Sequence, residues 1–265
     1  MIATLPMYDW PELRDANEAL WECLRDAFRQ FGFDAPKHLS QADENESHWL
    51  RSDLMFSQTC GYPFALNLNG QVDLLATPVY DVQGCGKGTY RSAVVVSKNA
   101  LFQTMESTQG TRLVYNDANS LSGFQCLKPK VGNPNAWFSD LLESGSHRQS
   151  AQSVAHGRCD IAAIDAICWA YIQRYDVEVA EQLRVLEWTD EFPALPFISA
   201  KSVSKEELEL KQLALDFGIQ QSSNSCQTKP LLLNGVTTIP IGNYIDLKDL
   251  VSASEFTETM PCPQS

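Results

Sequence analysis

The chain has 265 residues, 44% of them hydrophobic and 20% charged, with Gly and Pro in ordinary amounts. That excludes a disordered or fibrous protein and supplies apolar material for one large domain or two small ones. A formal net charge of −13 argues against nucleic acid as a partner, since a backbone-phosphate binder is ordinarily basic, and no apolar run is long enough to insert in a membrane.

In chain order, "MIATLPMY" reads as a short opening strand. "DWPELRDANEALWECLRDAFRQFGFD" then reads as an amphipathic helix: Pro11 suits its first turn, Leu13, Leu20, Leu24 and Phe28 recur at helical spacing, and Gly32 stops it. "DLMFSQTCGYPF" is a buried strand running into a turn. "VDLLATPVYD" and "TYRSAVVVSK" are strands by their Val, Leu and Tyr content, and "TRLVYND" is another, ending at "ANSLSGF". "SHRQSAQSVAHG" is a short helix, "CDIAAI" a strand and "DAICWAYIQRY" a helix. "LRVLEWTDEFPALPFIS" holds a strand and a proline-rich crossing, and "KEELELKQLALDFG" is a helix. "SSNSCQTKPLLLNGVTTIP" is a looser segment, and "SASEFTETMPCPQS" a frayed tail. Strands and helices alternate with short connections, which predicts an α/β protein with mostly parallel sheet.

Such sheets bind ligands just beyond the carboxyl ends of their strands. The residues there are Tyr8, Asp9 and Trp10; Ser57, Gln58, Thr59 and Tyr62; Asn119, Ser120, Ser122 and Gly123; Gly145, Ser146 and His147; and Asp165. They are hydroxyls, amides and aromatic rings with few formal charges, and most precede a helix. A helix start exposes unpaired N–H groups and the positive end of the dipole, so several aimed at one cleft suit a phosphate, phosphonate, sulfate or carboxylate even in an acidic chain. Ser120, Ser122, Ser146 and Asp165 are equally good N-caps, and the residues by themselves leave both readings open. His38, His48 and His156 read as incidental, and Trp169 and Trp188 as core.

The sequence holds no GxSxG, P-loop, dinucleotide fingerprint or HExxH, so no cofactor is expected. Ser122, His147 and Asp165 form a Ser/His/Asp set only in the sense that almost any chain offers one. Eight Cys without a CxxC give no support to a zinc ribbon. Cys60 and Cys85 both lie in Gly-rich turns beside predicted strand ends, and spacing alone leaves their meeting open. The N-terminus lacks the basic start and long apolar stretch of a signal peptide, which reads either as a cytoplasmic chain or as one whose leader was replaced.

Six stretches together, "LPMYDWPEL", "LMFSQTCGYPF", "GTYRSAVVVSKNA", "NSLSGFQCL", "GSHRQSAQSVAHGRCDIAAIDAICW" and "LPFIS", resemble the phosphonate-binding, PhnD-like substrate-binding proteins of ABC transporters, to about residue 220. The resemblance implies a two-lobed type II periplasmic binding-protein fold, each lobe a sheet flanked by helices with the ligand between them. Lobe 1 would hold residues 1–92 and 190–265 and lobe 2 residues 93–189. The crossings would lie near "YRSAVVV" and "EWTDEFPALPF", and closure would be hinge motion.

Carried onto this chain, the family's Ser/Thr-rich anion turn falls on Ser120-Leu121-Ser122-Gly123, its His on His147 and its Tyr on Tyr90; Tyr8, Trp10, Gln58, Thr59, Tyr62 and Ser150 complete the expected binding set. Leu121 stands where a third hydroxyl is usual, and Leu195 falls where phosphonate binders carry an acidic residue for an amino group, leaving Asp165 to substitute for it. A branch of the family with a Cys in each turn implies a Cys60–Cys85 contact and a candidate disulfide. The expected function is capture of a small anion by a monomer or weak dimer, with an ABC permease as partner. The resemblance implies a periplasmic location, with a cytoplasmic one the close alternative. The competing expectation is a cytoplasmic enzyme on the same fold, with His147 or Asp165 as general base.

Overall fold

In the computed structural model, which describes residues 1–41 and 47–249, the strands in chain order are β1 (Ile2–Ala3), β2 (Leu54–Gln58), β3 (Val72–Tyr80), β4 (Thr89–Tyr90), β5 (Ser92–Ser97), β6 (Arg112–Tyr115), β7 (Asp140–Glu143), β8 (Ile161–Asp165), β9 (Leu183–Trp188), β10 (Phe192–Pro193), β11 (Phe197–Ala200) and β12 (Leu233–Thr237). The four longest helices are α1 (Arg14–Gln30), α2 (His147–Ala155), α3 (Ala166–Tyr175) and α4 (Lys205–Ser223). The chain divides into two units. Met1–Tyr90 and Phe192–Ile245 form the first; Arg91–Glu191 forms the second, with which Asp246–Asp249 group.

The first unit is built on a five-stranded sheet of order β1-β2-β11-β3-β12. β1 and β2 are parallel, β11 is antiparallel to both β2 and β3, and β12 is antiparallel to β3. A ribbon of β10 and β4 pairs Phe192 with Tyr90. The core is aromatic: Trp21 stacks on Phe56 at 6.0 Å, and Phe56 lies 5.1 Å from Phe197. Leu20, Leu24 and Phe28 of α1 point inward as their spacing predicts, and the helix gives way to a turn at Gly32, φ +92°. The second unit has a sheet of order β7-β6-β8-β5-β9, with β6 parallel to β7 and β8, and β5 antiparallel to β8 and β9. Its core is aliphatic, built from Val94–Val96 of β5, Leu113 and Val114 of β6 and Ile161–Ile164 of β8.

The sheets are therefore mixed, not mostly parallel. Strand–helix alternation reports where elements change, but strand direction follows from where the chain enters each unit. β5 begins just after one crossing, β9 ends just before the other and β11 follows it; these three strands make all the antiparallel pairings of the two large sheets except β12 with β3.

Five other expectations change. The opening strand shrinks to two residues. "TYRSAVVVSK" breaks at Arg91 into β4 and β5. The helix expected to end near Gly218 runs on to Ser223, and the glycine serves close packing instead: a Cβ there would stand 3.0 Å from Leu24 Cα and 3.1 Å from Ala27 Cβ. Within the segment expected to be loose, β12 joins the sheet edge. His48, expected in a polar connection, is buried against Trp49. The predicted frayed tail, 252–265, lies outside the described residues.

Candidate functional site

In the second unit the chain leaves β6 and turns through residues 116–124. The turn is closed by its own main chain: Gln125 N–H donates to Ser120 O at 3.0 Å and Cys126 N–H to Leu121 O at 2.8 Å. Ser120 Oγ accepts from Gly123 N–H at 3.1 Å and lies 3.4 Å from Ser122 Oγ. Cys126 Sγ donates to Ser122 O at 3.0 Å, and burial pushes this thiol up to about 12, so it stays a neutral donor. A side chain at Gly123 would require the Asn116 carboxamide to move, since a Cβ would fall 1.7 Å from Asn116 Oδ1 and 3.3 Å from His147 Cε1.

The helix that follows this turn is only a 3-10 turn, Gln125–Leu127, and a single α-turn, Lys128–Val131. It brings little dipole to the site, against expectation. What the turn offers is individual donors. Among the described residues, the main-chain N–H groups of Leu121 and Ser122 make no hydrogen bond, and neither does that of His147 at the start of α2.

His147 is brought to this turn by two main-chain ties between the exit of β6 and the entry to α2: Ser144 N–H donates to Tyr115 O at 2.8 Å and Gly145 N–H to Asn116 O at 2.9 Å. Gly145 takes φ +86°, which favours glycine. Ser146 caps α2 through Gln149 N–H. The result is a 2.8 Å hydrogen bond between Ser122 Oγ and His147 Nε2, while Nδ1 is enclosed and unbonded. Burial pulls the imidazole down from 6.5 to about 4, outweighing the main chain of Ala163, so the ring is neutral near pH 7.

Two residues expected beside this cluster are used elsewhere. Ser150 is fully buried and shares a 2.7 Å hydrogen bond with Ser144 Oγ, holding α2 to its own entry. Asp165 is 1% exposed, and its Oδ1 accepts from Ile167 N–H at 2.8 Å and Cys168 N–H at 3.1 Å. It is the N-cap of α3. Asn116 is the residue that sequence reasoning missed; its only signal is its place directly after "LVY".

In the first unit, Gln58 ends β2, and its amide donates to Tyr80 OH at 3.2 Å and Leu195 O at 3.1 Å. Tyr8 meets Tyr80 edge-on at 5.8 Å. Thr59 is buried, its N–H donating to Pro196 O at 3.1 Å, and Tyr62 lies in the same turn with its phenol pushed up by burial. Trp10 is half-buried at the start of the 3-10 turn Pro11–Leu13. Tyr8 and Gln58 thus meet at Tyr80, a residue not anticipated, and Gln58 links it to Leu195. Tyr90 is fully buried in β4 and belongs to this unit, not to the one that carries the serine turn. The structure records no disulfide between Cys60 and Cys85, both half-buried: one precedes the Gly61–Pro63 turn and the other bridges Tyr90. Among the described residues no cluster of His, Cys, Asp or Glu is arranged for a metal, and no helix is long and apolar enough to cross a membrane.

The two mixed sheets flanked by helices match solved binding proteins throughout. The binding component of an ABC phosphonate transporter, PA3383 from Pseudomonas aeruginosa, aligns with TM-score 0.72 and 15% identity over 96% of this chain and 86% of that one. PhnD1 from Prochlorococcus marinus, solved with methylphosphonate, gives 0.71 and 14% over 95% and 97%. The aliphatic sulphonate binding protein SsuA from Escherichia coli gives 0.59 and 13% over 92% and 89%. The fold is that of the type II periplasmic binding proteins. Residues 51–227 match the family described as "ABC transporter, phosphonate, periplasmic substrate-binding protein", and the chain belongs to that family. It is therefore a solute-binding protein and not an enzyme. No curated protein matches the chain.

Proposed function

We propose that the protein captures a small oxyanion of the phosphonate, phosphite or phosphate class, with Ser120, Ser122, Gly123 and His147 holding the anionic head. The observation that carries this reading is the cluster of Ser122 Oγ, His147 Nε2 and the open N–H groups of Leu121, Ser122 and His147. Compact donors at fixed positions suit tetrahedral oxygens, and a similar structure holds methylphosphonate. The engagement of Asp165 by the main chain of α3 favours a plain alkyl or inorganic anion over an aminoalkyl one. The bending points this reading needs are the two passages of chain at 90–91 and 191–192. Delivery would be to an ABC permease, on the outer side of the membrane, as the family description has it.

The test is a thermal-shift and calorimetric screen with phosphate, phosphite, methylphosphonate, 2-aminoethylphosphonate, sulfate and simple carboxylates. A bound anion at ~100 times its Kd should stabilise the fold by roughly 2.7 kcal/mol. A flat response to every oxyanion overturns the reading, and tighter binding of the aminoalkyl compound overturns the ligand preference.

A further inference from the structure

Asn116 directly follows β6, and its carbonyl ties the chain to the entry of α2 by accepting from Gly145 N–H at 2.9 Å. Its carboxamide is packed against Gly123. The hydrogen that Gly123 carries in place of a Cβ points at this group, since a Cβ would stand 1.7 Å from Oδ1 and 2.8 Å from Cγ. The same point lies 3.3 Å from His147 Cε1. The amide is thus lodged between the serine turn and the ring that bonds to it.

It hydrogen-bonds to neither. Oδ1 is enclosed without a hydrogen-bond partner, and Nδ2 makes no hydrogen bond among the described residues. The residue is half-buried, with Nδ2 as the accessible end of its amide. The polar side chains around it are spent on the turn itself. Gln125 Nε2 donates to Ala118 O at 2.6 Å, Asp117 Oδ1 accepts from Asn119 N–H at 2.6 Å, and Ser120 Oγ accepts from Gly123 N–H at 3.1 Å. Polar groups packed this closely are ordinarily paired, so an amide that the fold leaves out calls for a partner. Exchanging the two amide atoms does not supply one. The inward position meets hydrogens on carbon, which make weak contacts with an oxygen and none with an N–H donor. Oδ1 therefore belongs inside, and the two Nδ2 hydrogens face outward from a turn whose Leu121 and Ser122 N–H groups are also open.

Resting on the ligand reading above, we infer that Asn116 is a further ligand-binding residue of the anion site, whose Nδ2 donates to an oxygen of the bound phosphonate, phosphite or phosphate. Every oxygen of such an anion is an acceptor, and a carboxamide brings two hydrogens without bringing charge. Gly123 is what lets the amide lie this close to the main chain of the turn. The role is specific to a donor: a carboxylate of the same shape would keep the inward oxygen and turn a second oxygen, charged like the ligand, toward it.

Calorimetry at neutral pH with methylphosphonate, phosphite and phosphate should show Kd raised roughly tenfold to hundredfold in Asn116→Ala, the range for a lost donor to a charged group. The rise should be larger still in Asn116→Asp. Full affinity in Asn116→Ala, or an Asn116→Asp variant that binds as well as wild type, overturns the inference. A loss of affinity could also come from a disturbed turn, so the second measurement uses the unaltered protein: a crystal structure with methylphosphonate bound. Nδ2 should lie within hydrogen-bond distance, about 2.7–3.2 Å, of a ligand oxygen. A bound anion held by the serines and His147 with the Asn116 amide turned elsewhere overturns the inference and leaves the ligand reading standing. If none of the three anions binds the wild-type protein, the ligand reading falls and this inference falls with it.

Discussion

Gly123 is the tightest point of the site, because any Cβ there collides with the Asn116 carboxamide. Gly123→Ala should force Asn116 aside, destabilise the second unit by about 1–3 kcal/mol and weaken anion binding; a well-behaved variant with full affinity would show that the turn's shape is irrelevant. Ser122→Ala removes a donor to a charged group, worth about 1.5–3 kcal/mol, so isothermal titration should show roughly a tenfold to hundredfold rise in Kd at nearly unchanged Tm. The serines, Gly123 and His147 were readable because they directly follow a strand or start a helix. That position does not reveal which N–H a side chain faces, so Asp165 and Ser150 read alike as ligands and as internal ties. Asn116 and Tyr80 were missed for the converse reason: their importance lies in what they touch across the fold.

Between elements, α1 and α4 pack closely enough at Gly218 that Leu24 and Ala27 occupy the space a side chain would need. Gly218→Val should therefore lower Tm, by overpacking that costs about 1–3 kcal/mol, and leave the anion affinity of the folded protein unchanged; stabilisation would mean the helices yield. Asp165→Ala should lose the cap of α3, about 0.5–2 kcal/mol, again without weakening the anion; a loss of affinity at constant stability would return Asp165 to the ligand set. Helical period and strand composition made most elements legible. The parallel-sheet expectation failed because β5, β9 and β11 owe their direction to the crossings. β12 was lost because "LLLNGVTTIP" carries turn residues and the strand buries none of its side chains fully. Gly218 looked like a stop because close approach between distant helices leaves the same residue as a helix end.

For the whole molecule, acid should weaken the fold by two routes. The imidazole of His147 has a folded value of about 4 against an ordinary 6.5. Between these values the unfolded chain binds more protons, and stability falls as pH falls. The Asp160 carboxyl, held below its ordinary range by Arg112, contributes stability above its ordinary value that is lost as pH drops through the folded one. Denaturant titrations should show the first loss between pH 6.5 and about 4, and His147→Gln should flatten it. The order of the chain bears on how the protein is made. The second unit's sheet comes from one unbroken stretch, β5 to β9, whereas the middle strand of the first sheet, β11, arrives only with residues 197–200. A growing chain can complete the second unit's sheet while the first still lacks its centre. The first unit must then wait, half-built and with long-range contacts unpaid, which marks it as the slower folder and the place where nascent chains are exposed to aggregation.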